Sequence, residues 1–226
     1  MSLPLKFYYD LLSQPSRAMM IFLNVAKIPY ESLPVALRKG EHFTEEFKGV
    51  NRFQKVPCIN DNDFKLSESV AIVRYLAAKH KIPDTWYPTD AKKQARVDEY
   101  LEWQHNNTRI CLALYFQLMW LKPLLTGQKP KPEAVEEHLA RVITTLDALE
   151  NIWLEKTPFL TGNDITVADI WCACEIEQLV LTPYDFRQGR PRLAAWLDKV
   201  RKLSNPYYDE AHMVLKKISE KTSAKL

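Results

Sequence analysis

The sequence predicts an α/β unit followed by an all-helical unit, and three observations carry that expectation. Up to Lys81, strand-like apolar runs and helical spacings succeed one another in the order β-α-β-α-β-β-α. Beyond Asp90 the apolar stripes recur three or four residues apart, the period of amphipathic helices. The chain also has 5 glycines against 14 prolines in 226 residues, few for a fold built on tight β-turns. A length above the ~150 residues usual for one domain suits two. The expected division is 1–81, a linker over 82–90 carrying Pro83 and Pro88, and 91–226.

Leu3 to Tyr9 is apolar and aromatic and reads as a buried strand. Ser13-Gln14-Pro15-Ser16 follows, with proline suited to a first helical turn, and Ala18, Phe22 and Val25 continue at helical spacing to Lys27. Tyr30 to Val35 is a second strand, with Pro34 at its end or on an edge. Gly40 to Asn51 is polar and loosely helical, with Phe43 and Phe47 one turn apart. Val56 to Asn60 and Phe64 to Leu66 form a hairpin about the turn-type residues Asp61-Asn62-Asp63. A helix is expected from Ser67, with Val70, Val73, Leu76 and Ala77 on one face. Two parallel strands joined by a helix, then a hairpin and a covering helix, make the thioredoxin-like arrangement.

In the second unit a long helix is expected from about Ala91 to Trp120, with Val97, Tyr100, Leu101, Gln104, Thr108, Leu112, Tyr115 and Met119 on one stripe. Val135, Leu139, Val142, Leu146, Leu149 and Trp153 mark the next. Thr166-Val167-Ala168-Asp169 has the form of a capping box with Asp in the closing position. It opens a helix apolar nearly all round, the expected centre of this unit. Helices from Pro191 to Leu203 and Tyr207 to Ile218 complete it, before a polar tail, Ser219 to Leu226, expected to fray.

Composition excludes several functions. Gly40 and Gly49 are the nearest glycine pair, so neither G-x-G-x-x-G nor a Walker loop exists. The net charge of +3 arises within residues 1–87, where 12 basic face 9 acidic side chains. That suits a small anionic ligand and is too slight for nucleic acid. Cys58, Cys111, Cys172 and Cys174 form no C-x-x-C, and read as buried reduced thiols. Five scattered histidines offer no H-E-x-x-H, so no metal site is expected. Lys6 and Asp10 interrupt what would be a signal core, and the apolar run Ile110 to Leu121 falls short of a membrane span. A cytoplasmic chain with no membrane span is expected.

Two helix starts are candidate anion sites. At the first, Ser13 and Ser16 either cap the helix or offer a hydroxyl to an anion in the positive field of the helix terminus. At the second, Ser67 reads as N-cap, with Glu68 and Ser69 placed to meet the ammonium and carboxylate of an α-amino acid, or as an ordinary acidic first turn. Lys55-Val56-Pro57 lies between them.

Together the blocks Leu-Leu-Ser13-Gln-Pro-Ser-Arg17, Lys-Gly-Glu-His42, Asn-Arg-Phe-Gln-Lys55-Val56-Pro57, Leu-Ser-Glu68-Ser69-Val-Ala-Ile, Arg96-Val-Asp-Glu-Tyr-Leu-Glu-Trp-Gln-His105 and Phe-Leu-Thr-Gly162-Asn-Asp-Ile-Thr166-Val-Ala-Asp169 resemble the theta class of the glutathione S-transferases, from Leu5 to about Lys217. The resemblance implies a thioredoxin-like N-terminal domain, an all-α C-terminal domain and glutathione as co-substrate, with no permanent cofactor. It implies that Ser13 donates to the glutathione sulfur as the catalytic hydroxyl, with Arg17 as a positive charge behind it. Val56, before a cis Pro57, pairs with the cysteinyl backbone. Glu68 and Ser69 hold the γ-glutamyl end, and His42 and Lys55 meet the glycine carboxylate. Asn106 and Arg109 face the site from the long helix. Small hydrophobic electrophiles (halides, epoxides, hydroperoxides) are expected against Leu11, Leu112, Tyr115, Phe116 and Met119. A homodimer is also implied, and whether Asn106 serves its own site or the neighbouring one is left open by the resemblance. In vertebrate theta enzymes a further segment folds over the site, so the polar tail here implies either a more open site or a sequence that stops short of that segment. The rival class is a non-catalytic module of the same fold. A glutathione-dependent thiol reductase would want cysteine at Ser13.

Overall fold

The computed structural model describes residues 4–223. β1 (Leu5–Tyr9) and β3 (Cys58–Asp61) form the middle of a four-stranded sheet, with β2 (Tyr30–Pro34) and β4 (Phe64–Ser67) at its edges, in the order β2-β1-β3-β4. β1 pairs parallel with β2 and antiparallel with β3, so Phe7 stands opposite both Ser32 and Ile59. Phe7 and Ile59 are completely buried. A parallel pair needs a crossover, and α1 (Gln14–Val25) supplies it. Asn62 and Asp63 take φ of 52° and 69° in the β3–β4 turn, where their short polar side chains tolerate left-handed backbone.

The polar segment before β3 folds as two 3-10 turns, Leu37–Lys39 and Glu41–Phe43, and then α2 (Glu45–Val50), capped by Thr44 accepting from Phe47 N at 3.2 Å. β4 extends through Ser67, so the following helix, α3 (Ser69–Lys79), starts later than expected and Ser67 is not its cap. Glu68 occupies that position with no side-chain capping bond. The expected start of β1 at Leu3 lies outside the described residues.

Residues 82–90 are a docked segment. Trp86 and Tyr87 are buried, Val167 N donates to Trp86 O at 2.9 Å, and Thr85 Oγ1 donates to Ile165 O at 3.1 Å. α4 covers 91–126, past the expected end at Trp120. It is α-helical over Ala91–Gln104, Ala113–Phe116 and Lys122–Thr126, and widens to π-helical turns at His105–Leu112 and Gln117–Leu121. α5 covers 132–153, its last turn π-helical over Leu149–Trp153.

α6 (Val167–Glu177) is buried at every position from 167 to 176 and continues as a 3-10 turn over Gln178–Leu181. Its capping box is reciprocal: Thr166 Oγ1 accepts from Ala168 N, and Asp169 accepts from Thr166 N at 2.9 Å. Asp169 also accepts from Leu160 N and Trp196 Nε1, tying the preceding loop and α7 (Pro191–Ser204) to the start of α6. α8 (Tyr207–Ser223) runs through much of the polar tail as helix, and the rest of that tail lies outside the described residues. α1 belongs to both units, packing against α3, α6 and α8.

Candidate functional site

Residues from both units converge on a cavity of about 170 Å3. On the sheet side it is lined by Pro15, Lys55, Val56, Pro57, Ser67, Glu68 and Ser69, and on the helical side by Gln104, His105, Arg109, Trp171 and Glu175. The Val56–Pro57 peptide is cis. Asn51, itself buried, shapes the approach to it by donating from Nδ2 to Lys55 O at 2.6 Å. Lys55 leaves its ammonium exposed.

Ser13 caps α1, whose Pro15 lines this cavity; Ser13 itself is not among the lining residues. Its Oγ accepts from Ser16 N at 3.4 Å, so it is an N-cap, and its O–H remains free to donate. Capping and anion binding are thus compatible: one uses the oxygen lone pair, the other the proton. Asp10 shapes the turn by accepting from Leu12 N at 2.7 Å and Leu37 N at 3.1 Å.

Glu68 has φ of 68° and ψ of 106°, left of the region that side chains prefer. Such backbone costs on the order of 1–3 kcal/mol and is held only where surrounding structure enforces it, typically at binding sites. Here it places a carboxylate and the free N–H groups of the α3 start on the cavity wall. Ser69 Oγ accepts from Trp171 Nε1 at 3.1 Å, fixing the hydroxyl to α6.

The central helix organises the rest. Trp171, Cys174, Glu175 and Gln178 recur at i, i+3, i+4 and i+7, one stripe of α6 and its continuation. Trp171 holds Ser69. Glu175 accepts from Arg109 Nη1. The Cys174 carbonyl and Gln178 Oε1 accept from Arg17 Nη2 at 2.9 and 2.7 Å. Arg17 Nη1 in turn donates to Leu11 O and Leu12 O at 2.9 and 3.3 Å, on the turn that carries Ser13. One stripe therefore fixes three separate segments of the site.

Arg17 lies behind the Ser13 turn and not in the cavity. It is 0% exposed, so it touches no ligand and acts as a clamp beneath the Ser13 turn. Burial lowers its pKa, and the surrounding Cys174 and Glu175 oppose that shift.

The expected electrophile wall is corrected. Leu112 and Tyr115 are 0% and 2% exposed, and Met119 packs on the same core. The stripe that marked them in the sequence is the core-facing stripe of α4, and of its residues Gln104 alone lines the cavity. Phe116 is buried with Leu12, Leu181 and Leu215, under the Ser13 turn. Leu11 is half-buried on that turn. His42 lies against Phe43 with ring centroids 3.8 Å apart and the rings tilted by 40°, and Asn106 is exposed on α4; neither lines the cavity.

Gln104, Trp171 and Glu175 were not anticipated as site residues. Their signal was faint: a glutamine and a glutamate at core positions of otherwise apolar stripes. The π-helical stretch at His105–Leu112 had no sequence signal, although it keeps Thr108 and Leu112 in the core while Arg109 lines the cavity. Among the described residues no group of three His, Cys, Asp or Glu is placed to hold a metal ion, and no helix is long and apolar enough to cross a membrane.

Comparison with known proteins explains this geometry. Residues 5–78 match the family model "Glutathione S-transferase, N-terminal domain" and residues 132–199 match "Glutathione S-transferase, C-terminal domain". The chain belongs to the glutathione S-transferase family. It is 44% identical to glutathione S-transferase theta-1 of Bos taurus over 97% of this chain and 92% of that one. With theta-2 of Homo sapiens the identity is 40%, over 98% and 91%. The structure of human glutathione S-transferase T1-1 in its apo form superposes with a TM-score of 0.91 at 40% identity, covering 96% of this chain and 91% of that one. A human theta-class enzyme in complex with the glutathione conjugate of 1-menaphthyl sulfate superposes with a TM-score of 0.90 at 38% identity, over 99% and 91%. Within the family the chain is a theta-class enzyme.

Proposed function

We propose that the cavity is the glutathione site and that Ser13 activates the thiol for transfer to a small electrophile. The observation that carries this reading is the convergence of Lys55, Val56, Pro57, Glu68, Ser69 and Arg109 on one cavity beside the α1 start. Glutathione is the co-substrate. Val56 pairs with its cysteinyl backbone, Glu68 takes the γ-glutamyl ammonium, and Ser69 with the free N–H groups of α3 takes the adjoining carboxylate. Lys55 and His42 approach the glycine carboxylate from the open rim.

The energetics suit a serine. A cysteine thiol titrates near 8.5, so about 3% is thiolate at neutral pH. Lowering that by two units needs about 2.7 kcal/mol of preference for the anion. One hydrogen bond to a charged group contributes about 1.5–3 kcal/mol and a helix terminus about 0.3–1. The Ser13 hydroxyl therefore acts as a donor to the nucleophile. The thiolate attacks the electrophilic carbon of a halide or epoxide, forming the C–S bond as halide leaves or the ring C–O bond opens to an alkoxide that is protonated. With a hydroperoxide it attacks the terminal oxygen, the O–O bond breaks to release the alcohol, and a second glutathione displaces water from the resulting sulfenic acid to give glutathione disulfide. Residues 1–81 bind glutathione, 82–90 link, and 91–226 complete the electrophile side. Because Leu112 and Tyr115 are buried, that side is formed by Leu11 and the cavity-facing turns of α4.

The reading extends to a cytoplasmic homodimer in which Asn106, exposed on α4, contacts the neighbouring subunit's site. Ser13→Ala tests the central claim. Turnover of a benzyl halide is expected to fall by about 100-fold, the scale of one hydrogen bond to a charged group, while glutathione affinity stays within about threefold. Ultraviolet titration of the bound thiol is expected to show its pKa returning toward the free value. Full turnover in Ser13→Ala would move the role to another hydroxyl.

A further inference from the structure

On the helical wall of the cavity Arg109 is paired with Glu175, a residue to which the reading above gives no role. Arg109 Nη1 lies 3.1 and 3.3 Å from the two carboxylate oxygens of Glu175. The partners differ sharply in exposure: the Arg109 side chain is 38% exposed and that of Glu175 only 3%. A carboxylate withdrawn this far from water is costly, and a well-packed apolar residue on α6 commonly serves stability as well or better. The pair also lies at the cavity wall, where both residues meet the ligand space. A guanidinium is a planar fork of five donors, and this contact engages only Nη1. Among the described residues, Nε and Nη2 of Arg109 have no protein acceptor. Beside them stands Gln104, only 3% exposed, whose Oε1 also lacks a partner.

We infer that Glu175 is a positioning residue for the transfer reaction. It grips one edge of Arg109 from the rigid central helix and turns the other edge, with its unused N–H groups, to the charged groups of the bound ligand. Without it, the long side chain rising from a π-helical turn has no fixed direction. This inference rests on the assignment of the cavity as the glutathione site.

The test is a double-mutant cycle in the full chain, with glutathione and a benzyl halide as substrates. Glu175→Gln keeps an acceptor in nearly the same volume and removes the charge. It is expected to lower kcat about tenfold, the scale of a lost orientation, with KM for glutathione little changed. In the Arg109→Ala background the same change is expected to shift kcat by less than about twofold, because the two residues act as one unit. An equal loss in both backgrounds would show that Glu175 acts on the fold and not through Arg109, and would overturn the inference. So would an unchanged kcat in Glu175→Gln where Arg109→Ala alone is impaired. Arg109→Lys gives a readout independent of the folding of α6 variants: a lysine retains the ion pair yet has no second edge, so turnover is expected at the Arg109→Ala level. Wild-type turnover in Arg109→Lys would overturn the inference. If Arg109→Ala itself turns over at the wild-type rate, the assignment of Arg109 to the site fails first and the inference falls with it.

Discussion

The two walls of the cavity are built on different principles. The sheet-side wall presents chain ends and backbone: a helix cap at Ser13, a cis peptide before Pro57, a left-handed Glu68 ahead of α3. Each is a local device, formed by residues close together in sequence. The helical wall works through side chains and carbonyls of the central helix that hold other segments: Trp171 holds Ser69, Glu175 holds Arg109, and Cys174 O with Gln178 holds Arg17 of α1 beneath the Ser13 turn. Its geometry is tertiary throughout. The difference teaches that ligand contacts and the rigidity of those contacts come from different parts of the chain.

The sharpest way to break the comparison is to remove Arg17, which ties the Ser13 turn of α1 to the central helix. Arg17→Met strips the donors from four acceptors, three of them buried, and unsatisfied buried acceptors cost about 1–3 kcal/mol each before relaxation. A net loss of about 3–5 kcal/mol in urea unfolding is expected, with turnover falling alongside. A variant that stays stable but loses turnover would instead give Arg17 an electrostatic role in the chemistry.

A smaller effect separates the walls by pH. His212 on α8 is buried, stacks on Tyr208 and donates from Nδ1 to Tyr208 O at 2.8 Å. Burial, and then the charge of Arg17, pull its pKa down to about 3. In the unfolded chain it takes a proton near 6.5, so its contribution to stability is intact above that pH and declines as pH falls from about 6.5 toward 3. His212→Phe keeps a ring at this place and removes the titration. At pH 5 the wild type is expected to have lost about 2 kcal/mol relative to its own value at pH 7.5 that the variant does not lose. Parallel pH dependence in the two proteins would place the acid sensitivity elsewhere, with Asp61 the next candidate. There burial acts to raise the carboxyl pKa, and the hydrogen bonds from Lys79 and Tyr75 prevail and hold it low.

The smallest effect is expected where the units meet in solvent. Arg74 on α3 donates to Asp98 at 2.8 Å and Glu102 at 2.7 Å on α4, with 38% of its side chain exposed. Arg74→Ala is expected to cost less than about 1 kcal/mol, and less again in high salt. A larger, salt-resistant loss would make this surface network part of what aligns the walls.

Legibility in the sequence follows the same division. Ser13, Val56-Pro57 and Glu68-Ser69 could be singled out because their devices are local, although the late start of α3 was missed since nothing in Leu66-Ser67-Glu68 announces a left-handed glutamate. On the helical side the stripe Val97 to Tyr115 was legible as a stripe but not for what it faced, and its residues turned out to fill the core. Burial is a property of what packs against a helix, and periodicity carries no record of the partner. Glu175 and Trp171 were hidden for the same reason, their partners lying 66 and 102 residues away.

The burial of the thiols has a consequence for an enzyme of this family. A protein that meets alkylating compounds exposes its own cysteines to them. Cys58, Cys172 and Cys174 are buried, and burial pushes Cys58 and Cys174 up to about 12 and raises Cys172 as well. At neutral pH a thiol titrating at about 12 is ionised in roughly one molecule in 10⁵, against about 3% for a free cysteine. The core thereby withholds nucleophiles of its own from the compounds passing over it, and self-inflicted alkylation is left to Cys111, the half-buried thiol on α4.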